Sequence, residues 1–513
     1  MKKVAQERAR RARIKKRIII ISVVSVLAVA LIAAGAFFYI KTTGYKGTVG
    51  SCSWTLNNDG VMTVSGSGST KGRVFVTFGI GKCSLEDVKE IVLEEGVTDV
   101  SAPFIKAMTN LTKATVPSSV GDIEDGTFTS NKLLSSILVA EGNANYSSLD
   151  GSLYDKGKTK LICYPSAIAN TEFIVPDSVQ EIGVYAFKDA ANLTYICINS
   201  GLMVIDDLAF IGMPKLETIG VSEGNGSYIS EGHALYDIGK TTVIRFPSSC
   251  SALTFETPDT VTQIADAAFE GCTNLTGITL NDRINRIGVG AFSGCSSLTE
   301  ITVPEGCRRI CDSAFSKCTS LKSVTLPSEY TSIPSNLFWG CTSLANVSIP
   351  ETVTSIGDGA FCNCTALTNI NIPVNVTCIG KNAFGGCIGL ASVQLPEGLS
   401  AISDYAFNKC TALKELVIPE SVSAVGYASF ADCKSLTAVT VPDGVASVGD
   451  FAFFNCSGLS TVNLGRGVKT VGESAFRNCT SLGSVFYAGS QAEWSGVSVG
   501  SNNDKLASSV QFK

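Results

Sequence analysis

Along most of the chain, apolar residues return in a fixed order at a fixed interval. Phenylalanines stand at 269, 292, 315, 338, 361, 384, 407, 430, 453 and 476, a constant step of 23 residues. Cysteine follows each by three residues, from Cys272 to Cys479, and leucine by six, from Leu275 to Leu482. Ile or Val precedes each by five, and proline by eleven in eight of the ten units. The unit reads L-x-x-[IV]-x-[LIV]-P-x-x-V-x-x-[IV]-G-x-x-A-F-x-x-C-x-x, as in residues 344–366. In Leu344-x-x-Val347-x-Ile349 the final alternation predicts a short strand with one buried face, ended by Pro350, which cannot donate to a ladder. One unit cannot bury two apolar stretches alone, whereas stacked units can, with equivalent strands paired in parallel.

The ruler extends toward the N-terminus with two insertions. Phe187 and Phe210 are again 23 apart, while Phe128 to Phe187 and Phe210 to Phe269 are both 59. Residues 141–155 align at an offset of 82 with 223–237, keeping Asn143/Asn225, Tyr146/Tyr228, Leu153/Leu235 and Tyr154/Tyr236. Asp150-Gly151-x-Leu153-Tyr154 predicts a hairpin projecting from the stack. The expected organisation is an N-terminal cap over 41–95, a solenoid over 96–486 with insertions near 141–176 and 223–258, and a C-terminal cap over 487–513. About fourteen coils result.

Ahead of the repeats lies a different pattern. Residues 1–17 carry nine Lys/Arg against one Glu, and residues 18–40 carry no charge. Twenty-three helical residues span roughly 35 Å, enough for a hydrocarbon core of about 30 Å. The expectation is a cytoplasmic basic tail and a single transmembrane helix with the body exported. The competing reading is a cleaved signal ending near Ala34-Gly35-Ala36, which would secrete the body. Taking the tail's +8 from the formal −5 of the 513-residue chain leaves −13 for the rest, which disfavours nucleic acid as a partner.

Candidate chemistry is sparse. The single histidine, His233, removes any His-paired relay and any multi-histidine metal site, and is expected in a turn because Gly151 aligns with it. The ladder cysteines recur once per coil between Phe and Leu, unlike the short-loop pairs of metal sites, and are read as small buried residues filling volume. Asn131, Ala190 and Met213 replace them in early coils, while Cys307/Cys311 and Cys362/Cys364 lack a second pair. Asp266, Asp312, Asp358, Asp404 and Asp450 are read as caps of a short helical turn, not as a catalytic row. Gly288, Gly357, Gly380 and Gly449 are expected to turn the chain, and no G-x-S-x-G elbow accompanies a base. No metal, cofactor or catalytic residue is implied.

One row has binding potential. The outward strand position carries Thr279, Thr302, Thr325, Ser348, Asn371, Gln394, Val417, Thr440, Asn463 and Phe486. Its hydroxyls and amides, Thr302, Thr325, Ser348, Asn371, Gln394, Thr440 and Asn463, form a candidate partner-binding face, or else an ordinary solvated one. Trp339 is a second candidate anchor, or a packing residue of the convex side.

The repeat consensus and both ends resemble the BspA-like (Treponema pallidum-type) leucine-rich repeat proteins. The opening Trp54-Thr55-Leu56, Asp59-Gly60 and Thr63-x-Ser65-Gly66-x-Gly68 is similar to that family's leading segment. Tyr487-x-Gly489-x-x-x-x-Trp494 with Asn503-x-x-Leu506 is similar to its terminal segment. The resemblance implies a leucine-rich-repeat solenoid with short parallel strands, and a cell-surface protein engaged in adhesion to host matrix glycoproteins such as fibronectin and fibrinogen, or to other bacteria. A structural, envelope-organising role and, with less support, a carbohydrate-active enzyme are the alternatives.

Overall fold

The computed structural model describes residues 44–78 and 84–512. Residues 18–40, the expected membrane segment, lie outside the described residues; among those described, no helix is long and apolar enough to cross a membrane. The chain divides into two compact units, Met1–Asn170 with Ser178–Asn192, and Thr171–Asp177 with Leu193–Lys513.

The first unit opens with an antiparallel meander of Tyr45–Val49, Cys52–Leu56 and Val61–Ser65, built over the buried Trp54. The indole Nε1 donates to the Thr48 carbonyl at 3.3 Å, so the largest side chain of the segment is buried with its one polar atom satisfied. The last meander strand then pairs in parallel with Glu90–Leu93, which pairs with Lys113–Val116, which pairs with Ser136–Val139. The parallel ladder thus begins inside the segment assigned to the cap.

The predicted hairpins form, as Tyr146–Leu149 against Ser152–Asp155 and Tyr228–Glu231 against Ala234–Asp237. Their two-residue turns hold Asp150-Gly151 (φ 49° and 80°) and Gly232-His233 (φ 54° and 71°), the backbone that twisted hairpins favour. Contrary to expectation they do not project. The Ile137 N–H donates to the Gly151 carbonyl at 2.8 Å, and Leu153, Tyr154, Leu235 and Tyr236 are buried. An apolar face on a second strand makes folding back more favourable than standing in water. The duplicated residues act as anchors. Buried Asn143 donates to the Pro117 and Val120 carbonyls and accepts from the Asn145 and Tyr146 amides. Asn225 repeats the arrangement with Asn199, Leu202, Ser227 and Tyr228. The Tyr146 and Tyr228 hydroxyls accept the Ile123 and Ile205 amides.

In the second unit, the ten phenylalanines from Phe269 to Phe476 form one buried stack, with consecutive ring centroids 5.1–5.9 Å apart. Each coil carries two parallel-paired segments, for example Glu300–Thr302 with Ser323–Thr325, and Arg286–Ile287 with Arg309–Ile310. The turn bearing the phenylalanine needs left-handed backbone on both sides of the ring. Ser313 and Lys317 flank Phe315 at φ 59° and 58°, and Asn382 and Gly386 flank Phe384 at 56° and 74°. This backbone aims alternate amides at the next coil, as in Phe361 N–H to Ala383 O at 2.8 Å.

The C-terminal segment is an irregular last coil. Ser498–Val499 extends one ladder from Thr470–Val471, and Val510–Phe512 extends the other from Ser484–Tyr487. Asn503 closes the stack: its Oδ1 accepts the Phe476 amide at 2.9 Å, the bond that earlier phenylalanines give to a following coil. Satisfying the last edge this way blunts a template for further stacking.

Candidate functional site

The repeated polar residues are largely consumed in joining coil to coil. Asp358 Oδ1 accepts the backbone amide of Lys381, 23 residues on, at 2.7 Å; Asp266, Asp312, Asp404 and Asp450 accept those of Val289, Ser335, Tyr427 and Glu473 in the same way. The expected cap of a local turn is therefore a cap of the next coil. Each aspartate serves the coil after its own.

This bond fixes the glycines too. A Cβ on Gly380 would stand 2.5 Å from both the Asp358 amide nitrogen and its Oδ1, and Gly288 and Gly472 meet Asp266 and Asp450 alike. Of the four expected to turn the chain, Gly288, Gly357, Gly380 and Gly449, none has a positive φ; they permit close approach of the preceding coil.

The cysteine ladder is also more than filler. Cys295 Sγ lies 3.1 Å from the Phe269 carbonyl, and the contact recurs at 3.1–3.3 Å through Cys479 and Phe453. The thiol donates to the phenylalanine carbonyl of the previous coil. Asn131, which replaces cysteine in the first unit, makes the equivalent bond to Ile105 O and a second to Met108 O. Asparagine there preserves a donor, not merely a volume. Burial pushes the Cys387 and Cys479 thiols up to about 12, so these two stay protonated and unreactive. All cysteines among the described residues are free, and no group of three or more His, Cys, Asp or Glu among them could hold a metal ion.

Against this occupied framework, the strand row stands out as unspent polarity. Thr302, Thr325 and Ser348 are in direct register on neighbouring strands and all exposed, with Ile301, Val324 and Val347 facing inward between them. Thr440, Asn463 and Phe486 form a second in-register set, where Asn463 is half-buried and its Nδ2 donates to Thr440 Oγ1 at 3.2 Å. Val417, with 73% of its surface exposed, interrupts the polar row.

Asn371 and Gln394 are exposed, but the structure places them in stretches that are not paired as strands. The row is therefore two polar patches flanking an unpaired region. Trp339 lies off this row. It is half-buried, with Lys317 Nζ of the previous coil 5.2 Å from its ring centroid in a cation–π contact.

A carboxylate pair free for acid–base work does not emerge from the aspartate row, whose members are bound to backbone amides. Burial raises Asp207, and its neighbour Asp266 is already paired with Arg286 at 2.6 Å. The structural residues that sequence reasoning missed include Arg245, 97% or more buried in its side chain, which donates to the Ala267 and Glu270 carbonyls and lies 3.5 Å from the Glu270 carboxylate. Its only sequence signal was a charge inside the second insertion.

The BspA type leucine-rich repeat profile, in six copies, matches residues 80–170, 162–253, 245–368 and 354–483. Among curated proteins, none matches the chain. Among crystal structures, the chain is similar to a leucine-rich repeat protein from Eubacterium ventriosum, with 24% identity over 75% of this chain and 94% of that one and a TM-score of 0.43. It is also similar to one from Bacteroides ovatus, with 23% identity, coverage of 72% and 97% and a TM-score of 0.38. A third, the T. pallidum leucine-rich repeat protein, shares 27% identity over 42% of this chain and 90% of its own, with a TM-score of 0.28.

Proposed function

The chain belongs to the BspA-type leucine-rich repeat family, and from that premise we propose a non-catalytic binding protein of the bacterial surface that engages protein partners along its strand face. In this reading residues 18–40 anchor it, residues 1–17 remain cytoplasmic, and the repeats are exported to meet host matrix glycoproteins or other bacteria. The observation that carries the binding role is the exposed, in-register hydroxyl row of Thr302, Thr325 and Ser348, which contrasts with polar side chains elsewhere that are spent on joining coils. A parallel stack repeats such groups once per coil at about 4.8 Å, so many weak contacts add along one partner.

The test is binding of the full chain, purified in detergent, to an array of matrix glycoproteins, glycans and bacterial cell walls at low and high salt. Saturable, selective binding that weakens on combined Thr302→Ala, Thr325→Ala and Ser348→Ala substitution is the expected result. A blank array over folded protein would refute the adhesive reading and favour an envelope-organising one.

A further inference from the structure

One coil boundary differs from its neighbours. From Leu253 to Gly483, the residue entering each strand donates its amide to the equivalent carbonyl of the previous coil: Lys322 to Thr299 (2.8 Å), Ala345 to Lys322 (3.2 Å), Ala391 to Thr368 (2.9 Å), Lys414 to Ala391 (3.1 Å). Among the described residues that bond is missing only between Thr368 and Ala345. Strand pairing is absent there too, as it is between Gly277–Thr279 and Glu300–Thr302 and on either side of residues 392–394, where the entering bond is kept. Asn346–Ser348 pairs with Ser323–Thr325 behind it but with nothing ahead, and residues 369–371 form no strand.

The core records the same break independently. Phe338 and Phe361, the rings of these two coils, are inclined at 30°, whereas every other consecutive pair from Phe269 to Phe476 lies between 1° and 19°. The rest of the boundary is closed. Phe338 still donates to Ala360 O (2.8 Å), Gly340 to Cys362 O (2.7 Å), and Ser332–Ile333 remains paired with Ser355–Ile356 and on to Cys378–Ile379. The two coils are parted on the strand face alone, leaving a groove of about 540 Å³.

The chemistry of the groove is specific. Successive strand residues direct their amide and carbonyl to opposite neighbours. The Asn346 amide goes back to Lys322 O, so the main chain of Val347 faces the gap. Exposed Asn346, Ser348, Asn369 and Asn371 rim it with neutral donors and acceptors, over a floor that includes Ile370. The lining includes no aromatic ring for a sugar face to stack on, and its one charged residue is Glu351.

From these features we propose that the gap between Asn346–Ser348 and residues 369–371 is the ligand seat of the strand face, and that it takes an extended, uncharged peptide segment by its main chain. The proposal rests on the binding role inferred above and names its site and ligand class. An unpaired strand edge is a template for another extended chain, and asparagine amides can meet both the N–H and the C=O of a peptide unit. The strand row is also unpaired between Gly277–Thr279 and Glu300–Thr302 and on either side of residues 392–394, but at those boundaries the entering amide still reaches the previous coil, as Thr299 does to Thr276 and Lys414 to Ala391.

The experiment probes the full chain with an array of short, capped, uncharged peptides beside neutral oligosaccharides. Saturable peptide binding is expected, insensitive to salt. The double variant Asn369→Ala/Asn371→Ala should weaken it roughly tenfold or more. Gln263→Ala/Ser332→Ala, at exposed positions of the other paired segment of their coils, should leave it unchanged, and N-methylation of single peptide amides should abolish it at the contacting positions. Binding that the gap variant does not weaken would overturn this site while leaving strand-face recognition standing. Oligosaccharide binding through the gap would overturn the ligand class. Binding of neither probe would overturn the inference, and the matrix-glycoprotein array above judges the wider reading separately.

Discussion

Replacing Phe361 by alanine tests whether the phenylalanine stack is the core that holds the coils together. The side chain is fully buried, with the rings of Phe338 and Phe384 at 5.4 and 5.2 Å. Truncating a buried phenylalanine costs about 3–5 kcal/mol, the larger values belonging to sites that cannot collapse. This site is pinned. The Phe361 amide is bound to Ala383 O at 2.8 Å, and its carbonyl is 3.1 Å from Cys387 Sγ, so the main chain cannot move in to fill the void. Two ring contacts, worth about 0.5–1.5 kcal/mol each, vanish as well. A loss of about 4–5 kcal/mol is expected.

Because each coil touches only its neighbours, the loss should appear first as local opening. Urea unfolding of the full chain gives the total, and amide exchange at Phe338 and Phe361, whose N–H groups bind the next coil, gives the location. A loss below about 1 kcal/mol, the size seen at ordinary surface sites, with unchanged protection of those two amides, would refute the reasoning.

The interlock of aspartate and glycine predicts that Gly380→Ala destabilises the array by about 1–3 kcal/mol, since its Cβ would press on Asp358; a melting midpoint equal to the parent's would contradict it. Thiol alkylation of the native protein followed by mass spectrometry should modify the exposed Cys378 and spare the ladder from Cys272 to Cys479, whose thiols are buried out of the reagent's reach. Early labelling of Cys364 would show the stack to be open.

Glu493 is held down to about 2 from an ordinary 4.5, first by the Ser490 amide and then by the Arg466 guanidinium. A depressed carboxyl stabilises the fold above its unfolded value and loses that contribution as pH falls toward the folded one. The C-terminal cap should therefore keep its exchange protection at pH near 4.5 and lose it as pH approaches about 2, while Glu493→Gln should flatten this dependence. A cap that frays equally in both proteins would exclude the carboxylate as the cause.

Periodicity alone determined the repeat, the parallel strands and the buried rows, because a 23-residue interval leaves equivalent side chains stacked and any apolar one among them hidden. The paired residues of the two insertions were visible as a duplication, and the outward strand row as an alternation. What each polar repeat residue does was decided by the tertiary structure. Asp358, Gly380, Cys364 and Asn131 all act on the main chain of an adjacent coil, about 23–26 residues away, and a consensus shows that a position recurs without showing what it faces.

Nor could the repeat foretell its own interruption. Residues 344–349 and 367–372 follow the same pattern as coils that pair, yet residues 369–371 form no strand and leave Asn346–Ser348 unpaired on that side. Pairing between neighbours is a small net balance of hydrogen bonds and side-chain packing, and that balance is set by the stacking of whole coils, not by any one of them.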